Sequence, residues 1–169
     1  MSRLAAADPL TGLLNRTALE LKVNEILDRD DFENTIVFAL IDLDKFKEIN
    51  DKYGHLAGDL TLRAFADSLK ISFRSTDILS RFGGDEFVVV CETDGNIDNL
   101  VSRIEGLVRK WRDTPISNDA GEPFFSTLSV GVAVSRGRKA DFKELIRAAD
   151  KALYKAKEQG RDSLAITCL

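Results

Sequence analysis

The chain has 169 residues, 44% hydrophobic and 31% charged, with a formal net charge of −4. That length suits one domain with its own core, and the negative balance argues against a nucleic-acid-binding surface, so any phosphate recognition must come from a few placed cations. Cys91 and Cys168 lie far apart and make no disulfide framework, which fits a reducing, cytoplasmic setting. No apolar run approaches membrane-spanning length and the N-terminus has no signal-peptide pattern, so no direct membrane insertion is expected.

Residues 1–7 are short and alanine-rich and read as the tail of a longer helix. Asp8-Pro-Leu-Thr-Gly-Leu-Leu-Asn-Arg16 then forms a turn leading to a helix start, with Asn15 as N-cap or Thr17 and Glu20 as an alternative capping box. Leu19, Val23, Ile26 and Leu27 recur at helical spacing. Thr35 to Ile41 is a continuous apolar run, expected as a central strand buried on both faces. It ends in Asp42-Leu43-Asp44, and a helix from Lys45 to Asp51 is expected to follow, with Asp44 as its N-cap.

A strand-to-helix junction favours an anion, because the unpaired N–H groups of a helix start point outward. Phosphate beside Asp42 would be repelled unless a cation lay between them, so Asp42 implies a hard metal ion, with Mg²⁺ the natural choice. Lys47 adds a point charge to the same phosphates. Further on, Asn50 and Asp59 flank a glycine-rich turn that contains Gly54, His55 and Gly58 and precedes a helix with Leu62, Phe65, Ala66 and Leu69. Guanine presents two adjacent donors that one carboxylate can accept, so Asp59 is suited to guanine and Asn50 to the base edge. By spacing alone, polar residues at a helical turn are the better reading. His55, the sole histidine, is expected to brace the turn, with contact to a bound nucleotide as the alternative.

Arg74-Ser-Thr-Asp77 as a bare pattern is a surface ion pair worth little. Ile78-Leu79 and Val88 to Cys91 flank Arg81-Phe-Gly-Gly-Asp-Glu-Phe87 and read as a β-hairpin, its two-residue turn made by Gly83-Gly84 at positive φ. Asp85 and Glu86 then stand at the mouth of an apolar strand. The chemistry of this heptapeptide alone suits a solvated hairpin tip equally well. A helix through Leu100, Ile104, Leu107, Val108 and Trp111 follows, then a loop or protruding hairpin over residues 115–123. Phe124 to Ser135 reads as a core strand in which Gly131 allows close approach. Asp141 and Glu144 make a capping box for a last helix that Gly160 ends, and Ser163 to Thr167 forms an edge strand. Lys157 and Arg161 bracket that helix end, where cations are ordinary dipole partners.

Four strings, in order, resemble the GGDEF family of diguanylate cyclases: D-P-L-T-G-L-L-N-R from Asp8, D-L-D-K-F-K-E-I-N-D-K-Y-G-H-L-A-G-D from Asp42, R-F-G-G-D-E-F from Arg81, and A-D-K-A-L-Y-K-A-K-E-Q-G-R ending at Arg161. The resemblance covers residues 8–161 of a single domain, 1–169. It implies an α/β (α+β) fold, a palm-like mixed sheet flanked by helices, similar to nucleotide cyclases and polymerases, with the signature on a β-hairpin.

It further implies condensation of two GTP into cyclic di-GMP with release of pyrophosphate, on two Mg²⁺ (or Mn²⁺) ions per active site. The metal ligands would be Asp42, the Leu43 carbonyl, Asp85 and Glu86, with Asp85 or Glu86 as general base. GTP would be held by the Lys45 and Phe46 amides, Lys47, Asn50, His55, Asp59, Lys157 and Arg161. Arg74 and Asp77 would form an inhibitory site for the cyclic product. One domain binds one GTP, so a catalytic homodimer is expected. No dimerising segment is evident, so the chain is expected to be cut from a longer protein with an upstream sensor or coiled-coil domain, or a downstream phosphodiesterase domain. The alternative is a catalytically silent module that binds GTP or cyclic di-GMP; the presence of Asp42, Lys47, Asp85 and Glu86 disfavours it.

Overall fold

The computed structural model describes residues 6–29, 33–118, 120–137 and 140–169. Five strands form one sheet in the order β2-β3-β1-β6-β7: Ile78–Arg81, Glu86–Thr93, Thr35–Leu43, Leu128–Arg136 and Ser163–Cys168. All neighbours are antiparallel except β6 and β7, so the sheet is mixed. β1 lies at its centre, as its unbroken apolar run predicts. β7 is the expected edge strand.

Because strand side chains alternate, β1 feeds two cores. Val37, Ala39, Ile41 and Leu43 face α3 (His55–Ser72) and α4 (Asp98–Arg112), where Phe65 and Trp111 are fully buried. Ile36, Phe38 and Leu40 face α1 (Arg16–Leu27) and α5 (Phe142–Glu158), through Leu19, Val23, Leu145, Ala149 and Leu153. Gly131 of β6 lies directly under the α5 backbone, so the close approach predicted for it is real.

Several boundaries differ from expectation. Residues 1–5 lie outside the described residues, and Ala7 pairs with Leu14 in an isolated bridge, so no helix reaches it. The helix expected from Lys45 is α2 (Phe46–Tyr53), and Asp44 is not its cap: Lys45 takes that position at φ 55 without a side-chain bond. α3 begins at His55, directly after Gly54, which places Gly58 and Asp59 inside the helix rather than before it. β6 starts at Leu128, whereas Phe124 belongs to the small protruding hairpin of β4 (Ile116–Ser117) and β5 (Pro123–Phe124), held by stacking on Tyr53 at 4.4 Å. Asn15 and the Asp141–Glu144 box cap their helices as predicted. No helix among the described residues is long and apolar enough to cross a membrane.

Candidate active site

Alternation that fills the core also builds the site. On β1 the α5-facing positions run Ile36, Phe38, Leu40 and then Asp42; on β3 they run Val90, Val88 and then Glu86. Asp42 and Glu86 are register partners, so two carboxylates stand side by side where the apolar stripe runs out. The Asp85 carbonyl accepts from the Leu43 N–H at 3.2 Å and closes the two strands together. α5 crosses this face, and the ammonium of Lys157 in its last turn donates to Asp42 Oδ2. Asp42 Oδ1 is buried with no hydrogen-bond partner among the described residues.

The electrostatics follow from that crowding. Burial, opposed by Lys157 and reinforced by the charge of Asp85, pushes Asp42 up to about 6. Burial and then the charge of Asp42 raise Glu86 as well. For Lys157 burial works the other way, but its hydrogen bond to Asp42 and the charges of Asp42, Asp85 and Glu86 outweigh it, and its pKa is raised. The site is a knot of negative charge in which, among the described residues, Lys157 is the cation paired with Asp42.

Beside it, Asp44 is buried as a strut. Its Oδ1 accepts from Ser129 Oγ at 2.6 Å, and its Oδ2 from Thr127 Oγ at 2.7 Å and the Asp162 N–H at 3.1 Å. Those bonds tie the start of α2 to the end of α5. Gly160, Arg161 and Asp162 are all left-handed, at φ 107, 65 and 47. Two consecutive non-glycine residues in that region are strained and persist only where their surroundings hold them. Here the hold is Asp44 on the Asp162 N–H and Arg112 Nε on Asp162 Oδ2 at 2.6 Å.

On the side of α2 that faces α3, Asn50 lies against Gly58. A Cβ there would stand 1.9 Å from Asn50 Oδ1, so glycine makes the room that the amide occupies, one residue before Asp59. Gly58→Ala is therefore expected to leave melting almost unchanged, since alanine favours helix, while displacing Asn50. Any ligand that Asn50 and Asp59 hold together should weaken about tenfold, a hydrogen bond's worth. Calorimetric titration with GTP against the wild type measures this.

The signature turn is differently built from expectation. The hairpin exists, but neither Gly83 nor Gly84 has positive φ, and residues 82–85 join the strands, with the Phe82 N–H donating to the Glu86 carbonyl at 2.8 Å. The geometry is held from behind. Arg81 donates to the Gly84 carbonyl at 2.9 and 3.1 Å and to Asp8 Oδ1 at 3.2 Å, while Arg16 covers the Phe82 ring at 4.3 Å. Asp8 also accepts from the Thr11 N–H and hydroxyl; these bonds and Arg81 overcome burial and lower its pKa.

A family model described as "Diguanylate cyclase, GGDEF domain" matches residues 5–163. The chain belongs to the GGDEF family. It is 38% identical to the diguanylate cyclase DgcP of Pseudomonas aeruginosa over 163 residues, which is 96% of this chain and 24% of that protein. Its identity to the cyclic di-GMP phosphodiesterase PdeR of Escherichia coli is 34%, over 96% of the chain and 24% of PdeR. The crystal structure of the coiled coil and GGDEF domain of DgcB from Caulobacter crescentus, in complex with c-di-GMP, superposes with a TM-score of 0.88 at 25% identity, covering 96% of this chain and 85% of that one. The chain spans about a quarter of the length of DgcP and PdeR.

In this GGDEF domain the residues singled out from sequence fall in two places. Asp42, Leu43, Lys45, Phe46, Lys47, Asp85, Glu86, Lys157 and Arg161 gather at one end of β1, β3 and α5, with Asn50, His55 and Asp59 nearby on α2 and α3. Lys45, Lys47, His55 and Arg161 are exposed. Arg74 and Asp77 sit beyond the opposite end of β2, a strand of four residues. They do not form a side-chain ion pair: the Arg74 N–H donates to Asp77 Oδ2 at 2.8 Å, and the cation paired with that oxygen among the described residues is Arg103, at 3.9 Å.

The chemistry of the donors suits a hard cation. Asp42 offers a buried oxygen without a partner, Glu86 is its register neighbour, and carbonyl and carboxylate oxygens are the ligands Mg²⁺ takes. Among the described residues, however, no three acids are drawn together as a ready metal cage. Sequence reasoning missed Arg81, Asp8, Ser129 and Asp162 as supports. Arg81 and Asp8 belong to two of the four family-like strings, but nothing in a linear pattern pairs residues 73 positions apart.

Proposed function

We propose that this GGDEF domain condenses two GTP into one cyclic di-GMP and two pyrophosphates, in a homodimer that places two such sites face to face. The observation that carries this reading is the Asp42–Glu86 register pair, with one buried Asp42 oxygen unpartnered, next to the start of α2. Bound at these carboxylates, two Mg²⁺ ions would draw charge from the α-phosphate and lower the pKa of the attacking 3′-hydroxyl. Asp42, the Leu43 carbonyl, Asp85 and Glu86 would hold them. The Lys45 and Phe46 amides, with Lys47, Lys157 and Arg161, orient the triphosphate; Asn50, His55 and Asp59 take the guanine. Asp85 or Glu86 accepts the 3′-hydroxyl proton. Phosphoryl transfer asks mainly for positioning and charge neutralisation, which these residues supply.

The test is incubation of the purified domain with GTP and Mg²⁺, followed by chromatography of the nucleotides. Cyclic di-GMP rising more steeply than linearly with protein concentration supports the dimeric cyclase. No product, even with dimerisation forced by a fused coiled coil, favours the silent GTP- or cyclic di-GMP-binding module. That alternative is kept because a relative carrying the same domain is named for the opposite activity.

The Arg74–Asp77 turn, at the far end of β2, is the proposed inhibitory site for the product. Arg74→Ala should leave the initial rate within about twofold and abolish the stall at accumulated product, a loss of about tenfold or more in inhibitor affinity for one charged hydrogen-bonding partner. Unchanged product inhibition in a progress curve would remove Arg74 from that role.

A further inference from the structure

We infer that Lys157 competes with the divalent cation for Asp42, so that cation binding releases Lys157 to the nucleotide's phosphates. This rests on the reading of Asp42 as a metal ligand. Family resemblance treats Lys157 and Arg161 as two equivalent phosphate cations, but their surroundings differ. Arg161 is exposed on a left-handed turn, and among the described residues no carboxylate is paired with it. Lys157 is committed to Asp42 Oδ2.

That commitment is built into the fold. α5 is pinned beside β1 by Gly131, which lets the helix backbone down onto the sheet, and by the Asp162 N–H on Asp44, two residues beyond Asp42. The two anchors fix the last turn of α5 relative to the end of β1, and Lys157 is the residue of that turn in reach of Asp42. Its side chain is 35% exposed, so it has room to leave, whereas Asp42 is only 13% exposed and does not. A divalent ion on Asp42 would stand within a few ångströms of an ammonium on the same carboxylate, and like charges at that range repel strongly in a partly buried site. One of the two must go. With Asp42, Asp85 and Glu86 then occupied by the cation, Lys157 has lost its partner and an incoming triphosphate offers the next one. Cation and nucleotide binding become mutually favourable through one side chain, as linkage requires.

The experiment measures Mn²⁺ binding without nucleotide, by paramagnetic resonance of the free ion, in the wild type, Lys157→Met, Arg161→Met and Asp42→Asn. Lys157→Met should bind Mn²⁺ about tenfold more tightly than the wild type, the value of removing one charge-assisted competitor. Arg161→Met should stay within about twofold, in keeping with a screened, exposed charge. Equal or weaker binding by Lys157→Met, with binding lost in Asp42→Asn, overturns the competition and leaves Asp42 as a ligand. Binding undiminished in Asp42→Asn overturns both. A second measurement needs no variant: reductive methylation of the wild type, read by mass spectrometry, should modify Lys157 more fully in the presence of Mg²⁺, and modification that Mg²⁺ does not change overturns the exchange.

Discussion

Asp42→Asn is expected to abolish cyclic di-GMP formation and at the same time to raise the melting temperature. On the proposed function the loss follows from chemistry: asparagine brings no negative charge to the cation that would neutralise the triphosphate, and removing such a charge partner costs about 10²–10³ in turnover. The gain follows from electrostatics. Asp42 is pushed up to about 6 by burial and by Asp85, so its charged form is unfavourable in the folded protein despite Lys157. A carboxyl that holds its proton more tightly when folded contributes stability at low pH and loses it as pH rises through about 6. At neutral pH the ionised group therefore costs stability, about 1 kcal/mol once solvent screening of the partly exposed site is allowed for. Asparagine removes that cost, and in a domain of this size melting should rise by about 3 °C. In metal-free thermal melts, the gap between the asparagine variant and the wild type should accordingly close as pH falls through about 6 and Asp42 takes up its proton. An asparagine variant that melts lower, or one that keeps more than about a tenth of wild-type turnover, would contradict this account.

The same residue illustrates what a sequence can and cannot disclose. That Asp42 stands near the end of a doubly buried strand is visible in the run from Thr35 to Ile41, and so is the central place of that strand, which in the structure runs on to Leu43. That it neighbours Glu86 was not visible, because the pairing depends on the register between β1 and β3, which follows from packing across both cores rather than from local propensity. Asp44 shows the opposite error. Its position after a strand and before a helix is that of an N-cap, and local chemistry favours capping. Ser129, Thr127 and the Asp162 N–H, 83 or more positions away, claim both its oxygens instead. Gly83 and Gly84 mislead in a third way. Two glycines between strands suggest a left-handed turn, yet the backbone needs no positive φ there. A Cβ on Gly84 would meet nothing within 4 Å. The fold does not require that glycine, and on the proposed function the open space beside it admits the nucleotide. Gly84→Ala should then melt like the wild type and turn over GTP at least about tenfold more slowly, as expected when bound substrate is misplaced.

Gly131→Ala should do the reverse, striking the fold first. Its Cβ would lie 2.0 Å from the Ala149 carbonyl oxygen, 2.3 Å from the Leu153 nitrogen and 2.8 Å from the Leu153 Cα. All three are backbone atoms in the middle of α5, so no rotamer change relieves the overlap. Either α5 lifts from the sheet or β6 bends away from it. β6 is bound on both sides, to β1 at Leu40 and to β7 at Ala165, so the helix is the element that must move. Lifting it opens the layer formed by Leu145, Ala149 and Leu153 against Ile36, Phe38 and Leu40. Overpacking of this kind costs about 3 kcal/mol or more where the neighbours are backbone, and melting should fall by about 10 °C. The consequence reaches the site, because the end of α5 carries Lys157 and the Arg161–Asp162 turn. A displaced helix carries Lys157 and Arg161 away from the phosphates they are proposed to hold and loosens the Asp162 N–H from Asp44, so activity should drop even at temperatures where the variant remains folded. Thermal melts and nucleotide assays on Gly131→Ala and Gly84→Ala side by side check the pair. A Gly131→Ala protein as stable as the wild type would mean that α5 does not rest on β6 through this glycine, and the positioning of Lys157 would need another explanation.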